Sequence, residues 1–168
     1  GIYQEFTRFR VESGGLVSNE SLSFDLRDLN FGLEEYTFSL REAVTLSWKE
    51  GEILLTPFVL ESESGTLTAA GRYNAEAVDV RVEWEELSLG LVELLAVDPM
   101  GGTLDGSLTI TGASSAPVVR AESTLLGYNP NPRENLDFPG MDAELGIDIV
   151  AGQLDATLVA TVADGTAF

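Results

Sequence analysis

The side chains that most often perform enzymatic chemistry are scarce in this sequence. It contains no His and no Cys, and Lys49 is its single lysine. The sequence therefore lacks the usual general base at neutral pH and a thiolate nucleophile. It also has no Gly-x-Ser-x-Gly elbow and no glycine-rich phosphate loop followed by lysine. We predict a protein that is not an enzyme and that binds no cofactor.

Acidic side chains are abundant, with 28 Asp and Glu residues, and two groups of them could carry chemistry. Glu85 and Glu86 could act as a general acid and base, but adjacent strand residues point to opposite faces of a sheet. Asp25, Asp28 and Asn30 could contact a hard cation such as Ca²⁺, but they lack the spacing of a Ca²⁺-binding loop. We interpret both groups as solvated surface charge and predict no metal site.

The charge balance excludes some partners. The net charge is −19, with only nine basic residues in 168. Nucleic-acid backbones need Lys and Arg, so this composition argues against nucleic-acid binding, and it argues equally against docking on an anionic membrane surface. No apolar run approaches the ~20 residues of a membrane-spanning helix. We expect residues 1–168 to be a single β-rich segment, a fragment of a longer repetitive protein; a complete domain is the alternative.

Apolar and polar residues alternate with a period of two over much of the chain. Val78, Val80, Val82 and Trp84, for example, alternate with charged residues. Because successive strand side chains point to opposite faces, each such segment has one apolar and one polar face. About eleven segments of this kind, separated by turn residues, predict an all-β fold.

Departures from this alternation predict local features. The apolar phase slips by one residue between Leu26 and Leu29, which indicates a β-bulge. Gly14–Gly15 is typical of a turn. Leucines at helical spacing predict one short helix over about residues 89–96.

The shared apolar face leaves two interpretations open. It could be the core of a closed β-sandwich, in which a facing sheet fills the space above small residues. It could instead be an open groove, with small residues such as Gly71 and Gly106 leaving a channel along it. Trp48 and Trp84 each end an apolar row, and they would be core aromatics in the first case and ligand platforms in the second.

Several motifs occur in an order that resembles a known family. The segment from Gly102 to Gly112 reads GTLDGSLTITG and is followed by Ala116-Pro117. Upstream lie LLTPF at Leu54–Phe58 and GTLTAAGRY at Gly65–Tyr73. Together these features resemble the TamB (translocation and assembly module subunit) and AsmA-like family over about residues 44–126, and the final strands match it loosely.

The resemblance implies both a fold and a function. The fold is an elongated, curled, mostly antiparallel sheet, called a β-taco, whose open concave face is hydrophobic. Proteins of this family are anchored in the inner membrane of Gram-negative bacteria, extend through the periplasm and are thought to conduct phospholipid to the outer membrane. They are also linked to an outer-membrane barrel partner, TamA, and to the assembly of outer-membrane proteins.

We therefore expect a periplasmic segment that shields phospholipid acyl chains, with any contact to TamA made by regions outside this chain. A chaperone-like holder of outer-membrane protein β-segments and a plain structural β-sandwich remain alternatives. Apolar residues at alternate strand positions are expected to line the groove: Val44, Leu46, Trp48, Leu67, Ala69, Val78, Val80, Val82, Trp84, Leu104, Leu108, Ile110, Val119, Ala121, Leu125, Leu145, Ile147, Ile149, Leu154, Leu158 and Val162.

Overall fold

A computed structural model describes residues 6–18, 20–33, 36–90, 101–129 and 140–162. These residues form eleven β-strands in one antiparallel sheet, so the all-β prediction is confirmed. The strands are β1 Phe6–Val17, β2 Ser21–Leu33, β3 Tyr36–Leu40, β4 Val44–Lys49, β5 Glu52–Ser62, β6 Gly65–Tyr73, β7 Ala77–Ser88, β8 Gly101–Ala113, β9 Ala116–Asn129, β10 Met141–Val150 and β11 Gln153–Val162.

The sheet is a meander in which strands that follow each other in sequence lie side by side. Its order is β1-β2-β3-β5-β6-β7-β8-β9-β10-β11, and β4 pairs with both β2 and β5. β3 and β4 thus share the place between β2 and β5, with residues 41–43 separating them. Eleven strands therefore occupy ten positions across the sheet.

Besides a register shift between Phe6 and Arg8 of β1, four β-bulges keep the apolar residues on one face. At each bulge, successive residues of the apolar face are three positions apart in sequence instead of two. Two residues of one strand then lie opposite a single residue of its neighbour. The bulge predicted between Leu26 and Leu29 is confirmed. The other slips are Leu55 to Phe58, Trp84 to Leu87 and Leu125 to Tyr128.

Two of the bulges are built in the same way. In β7, Glu86 has φ 52° and its N–H donates to Asp105 Oδ1 of β8 at 2.7 Å. In β9, Gly127 has φ 62° and its N–H donates to Asp142 Oδ1 of β10 at 2.8 Å. A bulge leaves one backbone N–H out of the ladder, and in both cases a carboxylate on the next strand accepts its hydrogen bond.

Two of the short turns, Glu50–Gly51 and Ala151–Gly152, consist of residues with positive φ. Ala151–Gly152, with φ of 50° and 79°, connects β10 to β11 as a two-residue hairpin of the I′ kind. The turn predicted at Gly14–Gly15 is wrong, because both glycines lie inside β1 and pair with β2. Two consecutive glycines without a polar turn partner are compatible with an extended strand when a neighbouring strand supplies the hydrogen bonds.

The described residues contain very little core. Only Val44, Leu60 and Leu89 are buried apolar residues, and no described polar residue is buried. Extensive contacts join only strands that are neighbours in the sheet. The chain exposes 11643 Å², whereas a compact globular protein of 18.0 kDa exposes about 8,000 Å². An open sheet with both faces accessible to solvent has this property.

The short helix predicted over residues 89–96 lies outside the described residues except for Leu89 and Gly90. Within the described part of the chain, no helix is long and apolar enough to cross a membrane.

Candidate functional site: the apolar face of the sheet

One face of the sheet is apolar from edge to edge, and we call it the apolar face. Cross-strand pairing aligns its residues in rows that run across the strands. The central row consists of Phe58, Ala69, Val82, Leu108, Ala121, Ile147 and Ala156. Among the described strand residues on this face, none is charged.

The strand register puts every residue expected to line a groove on this face. On β4 they are Val44, Leu46 and Trp48; on β6 and β7 they are Leu67, Ala69, Val78, Val80, Val82 and Trp84; on β8 and β9 they are Leu104, Leu108, Ile110, Val119, Ala121 and Leu125; on β10 and β11 they are Leu145, Ile147, Ile149, Leu154, Leu158 and Val162.

Sequence reasoning left the aromatic end of this face off that list. Phe24, Phe31 and Phe38 occupy the same face on β2 and β3. Phe31 and Phe38 are directly paired, and their rings stack with centroids 5.0 Å apart. The alternation of Leu22, Phe24 and Leu26 was the available signal, but the family resemblance did not reach this part of the chain.

The apolar face is open to solvent. Leu46 is 44% exposed, Trp48 is 42% exposed and Leu145 is 40% exposed. Exposure rises toward the β11 edge, where Leu158 reaches 69%. Contiguous exposed apolar surfaces are typical of interaction sites, so the apolar face is the candidate site.

The sheet curls toward this face at one end. Tyr36 of β3 and Gly90, which follows β7, are separated by β5 and β6 in the sheet. The hydroxyl of Tyr36 nevertheless occupies the position that a Cβ at Gly90 would need. Strands lie about 4.8 Å apart, so a flat sheet would hold these residues much farther apart. The apolar face is therefore concave here.

The small residues of the central strands do not leave an empty channel at every position. At Gly106, an added Cβ would lie 2.6 Å from Cζ2 of Trp84, so the indole already fills that space. At Gly71, Cγ2 of Val80 lies 2.8 Å from the same point. The expectation of an open channel above Gly71 and Gly106 is wrong at both positions. A larger side chain on the neighbouring strand covers each glycine and fills the space above it.

Ser123 places a polar hydroxyl group on the apolar face, but the hydrogen bond of this hydroxyl is satisfied within the protein. Ser123 is paired with Gly106 in the row that also contains Trp84. Its hydroxyl donates to the backbone oxygen of Asp105 at 3.0 Å. The hydrogen bond keeps this polar group from competing with an apolar ligand.

The opposite face carries the charge. Its ion pairs are Arg10–Asp28 at 2.9 Å, Arg41–Glu61, Arg72–Asp79 at 3.7 Å, Arg81–Glu83 at 2.5 Å and Arg120–Asp148 at 3.1 Å. All of these side chains are more than one-third exposed. Exposed pairs contribute little stability each, and their main effect is to keep this face hydrated.

Arg41 and Glu61 form the one pair whose ionisation is perturbed among the described groups. The hydrogen bond from Arg41 and its positive charge lower the pKa of the Glu61 carboxyl. The same hydrogen bond and the charge of Glu61 raise the pKa of the Arg41 guanidinium. The pair joins the link between β3 and β4 to β5.

The acidic residues considered above as candidates for catalysis or cation binding are either exposed to solvent or take part in contacts between strands. Glu85 is exposed on the charged face, and Glu86 is the bulge residue whose N–H is bound by Asp105. Asp25 accepts a hydrogen bond from the Thr45 hydroxyl at 2.8 Å, and Asp28 pairs with Arg10. Within the described ranges, no group of three acidic residues is arranged to hold a metal ion.

Comparisons with protein-family models, with curated proteins and with solved structures found no match to this chain.

Proposed function

We propose that this chain holds the acyl chains of phospholipid on its apolar face, as the periplasmic segment of a bridge that carries lipid to the outer membrane. The observation that carries the proposal is an uncharged apolar face that extends across all eleven described strands, is concave near Tyr36 and Gly90, and is not covered by another described element. The proposal includes no catalytic step and no cofactor. The bridge, its inner-membrane anchor and any contact to TamA rest on the family resemblance alone.

The dimensions of the face suit acyl chains. Ten strand positions at ~4.8 Å spacing give a face about 43 Å long. A single leaflet of bilayer hydrocarbon is about 15 Å thick. One face can therefore receive acyl chains end to end, with headgroups directed toward water.

The composition of the apolar face favours movement of a bound lipid along it over binding at one fixed position. Each CH₂ transferred from water to this surface stabilises the bound lipid by about 0.8 kcal/mol, so attraction is ample. The described part of the face offers no charged group that would hold a headgroup at one place. A surface of apolar side chains without a charged group gives similar affinity along its length, which allows a lipid to move.

The open surface favours this proposal over a plain β-sandwich. A sandwich needs a second sheet about 10 Å above the first to cover the apolar side chains. Extensive contacts among the described strands are confined to neighbours within one sheet.

Tryptophan fluorescence gives a direct test. Both tryptophans of the chain, Trp48 and Trp84, lie on the apolar face. Phosphatidylcholine with brominated acyl chains should quench both, and Trp48→Phe and Trp84→Phe resolve the two signals. Quenching of the more exposed Trp48 by the brominated lipid, but not by bromide in water at the same concentration, is the expected result. An unquenched Trp48 at saturating lipid would overturn the proposal.

Charge placed on the apolar face provides the functional test. Leu108→Asp, Ile110→Arg and Leu158→Arg should abolish binding of a labelled phospholipid because an acyl chain would have to desolvate the new charge. Thr109→Asp, on the opposite face of the same strand, is the matched control and should bind lipid normally. Far-UV circular dichroism and thermal melting should show folded proteins in all four cases. Unfolding of all three apolar-face variants, or normal lipid binding by them, would contradict the proposal.

A further inference from the structure

The edge strand β11 is exposed along its whole length. All ten of its residues are exposed. It pairs with β10 without a bulge and contains neither Pro nor Lys. Proteins usually protect long sheet edges with bulges, prolines or inward-pointing lysines to prevent pairing with another strand. β11 has one charged residue, Asp155.

The hairpin turn determines which backbone groups of β11 are unpaired. In a two-residue hairpin the residues that flank the turn form a hydrogen-bonded pair, here Val150 and Gln153. Hydrogen-bonded pairs then alternate along the ladder, so Asp155 and Thr157 bond to β10. The N–H and C=O groups of the intervening residues face outward: Leu154, Ala156, Leu158, Ala160 and Val162.

The side chains of the same five residues form the part of the apolar face that lies at the edge of the sheet. Leu154 is 67% exposed and Val162 is 57% exposed. A strand that bonds to the outward backbone groups would place its own alternate side chains beside this row. Those side chains must be apolar to continue the face, and the next ones must be polar.

The pattern of ion pairs on the charged face indicates which type of residue an added strand would need opposite Asp155. Arg–carboxylate pairs join neighbouring elements at Arg72–Asp79 and Arg120–Asp148. Asp155 lies directly opposite Asp148, and no cation among the described residues pairs with it. Two carboxylates in register repel each other, so a cation on the outer side of Asp155 would complete the pattern.

We propose that β11 binds one additional strand by antiparallel addition, and that this partner is an amphipathic β-segment with alternating apolar residues and an Arg or Lys opposite Asp155. Main-chain hydrogen bonds provide the affinity, and the apolar row together with Asp155 provides the specificity. The antiparallel direction continues the alternation of the meander. This inference does not require lipid binding, because its contacts lie along the edge of the sheet.

A synthetic peptide with the length of β11, 10 residues, tests the proposal. It alternates Leu and Thr and carries Arg at the position opposite Asp155; a second peptide has Glu there. An opposite-charge cross-strand pair is favourable and a like-charge pair is unfavourable, so the Arg peptide should bind about threefold or more tightly than the Glu peptide. Asp155→Arg should reverse this preference.

Amide exchange identifies the bonded edge. On addition of the Arg peptide, protection should rise at Ala156, Leu158 and Ala160, while the amides of Asp155 and Thr157 are already protected. Leu158→Pro removes an outward N–H without breaking the ladder to β10, and it should weaken binding by about tenfold or more. Circular dichroism checks that this variant is folded.

Three results would overturn the proposal. One is equal binding of both peptides to wild-type protein and to Asp155→Arg. Another is uniform amide protection without alternation along β11. The third is a concentration-dependent self-association that the Arg peptide does not reverse, since the edge would then belong to a second copy of the chain. Normal lipid quenching of Trp48 in any of these cases would leave the proposed function intact.

Discussion

At the scale of single residues, two glycines in neighbouring parts of the sheet have opposite requirements. A Cβ at Gly106 would clash with the backbone oxygen of Glu122 and lie 2.6 Å from the Trp84 indole, whereas a Cβ at Gly146 would have nothing within 4 Å. Gly106→Ala should therefore lower the free energy of unfolding by about 1–3 kcal/mol through overpacking. Gly146→Ala is the control and should be neutral or slightly stabilising, because alanine restricts the unfolded chain. Urea unfolding of both variants tests this, and equal effects would show that Trp84 does not depend on the space above Gly106.

The Arg41–Glu61 pair leads to a pH prediction at the same scale. The folded state lowers the pKa of Glu61, so the pair stabilises the fold above the unfolded-state pKa of about 4.3. That contribution disappears as the pH falls through the lowered pKa. Melting temperatures measured from about pH 6 to about pH 3 should fall less for Glu61→Gln than for the wild type. Glu63→Gln, an exposed carboxylate in the next turn, is the control and should follow the wild-type curve.

At the scale of elements, each bulge keeps the apolar residues that follow it on the same face of the sheet. Asp105 accepts the hydrogen bond from the N–H of Glu86, the residue with positive φ in the β7 bulge. Asp105→Ala removes that hydrogen bond and should cost about 0.5–1.5 kcal/mol of unfolding free energy. Asp79→Ala removes only an exposed ion pair with Arg72 and should cost less than about 0.5 kcal/mol.

Hydrogen exchange distinguishes a local effect of Asp105→Ala from a general loss of stability. The Glu86 amide should lose protection in Asp105→Ala while the amide of Val82, in the regular part of β7, keeps it. Uniform loss of protection along β7 would mean that Asp105 acts on the whole strand rather than on the bulge. Asp142→Ala should repeat the local effect at Gly127, because that bulge has the same hydrogen bond.

At the scale of the whole molecule, the open apolar face should be visible in the thermodynamics of unfolding. The heat capacity change on unfolding is proportional to the apolar surface that becomes exposed. A globular protein of this length would have about 2.0–2.5 kcal/mol/K. Because only three of its described apolar residues are buried when folded, this protein should have a value clearly below that range in differential scanning calorimetry. A value within the range would indicate that the apolar face is covered in solution, as in a closed sandwich.

The sequence by itself determined that the protein is all-β, because a period of two in apolar residues has no other stable solution. It also determined which residues share a face, since alternation fixes this strand by strand, and the slip between Leu26 and Leu29 even located a bulge. It did not locate the bulges at Thr56–Pro57, Glu85–Glu86 and Leu126–Gly127, where the slip lies next to a proline, a charge pair or a glycine that also fits a turn. The Gly14–Gly15 turn was wrong for a related reason: the hydrogen bonds that keep those glycines extended come from β2, far from them in sequence.

Only the tertiary structure decided whether the apolar face was covered. Alternation is identical in a sandwich and in an open sheet, because it reports which side of a strand is apolar and not what lies above it. The strand pairing showed one sheet with β3 and β4 in a single position, and the approach of Tyr36 to Gly90 showed its curl. The pairing also left β11 with one side unbonded and Asp155 without a cation among the described residues. These are relations between strands distant in sequence, and they depend on long-range pairing that a local pattern does not encode.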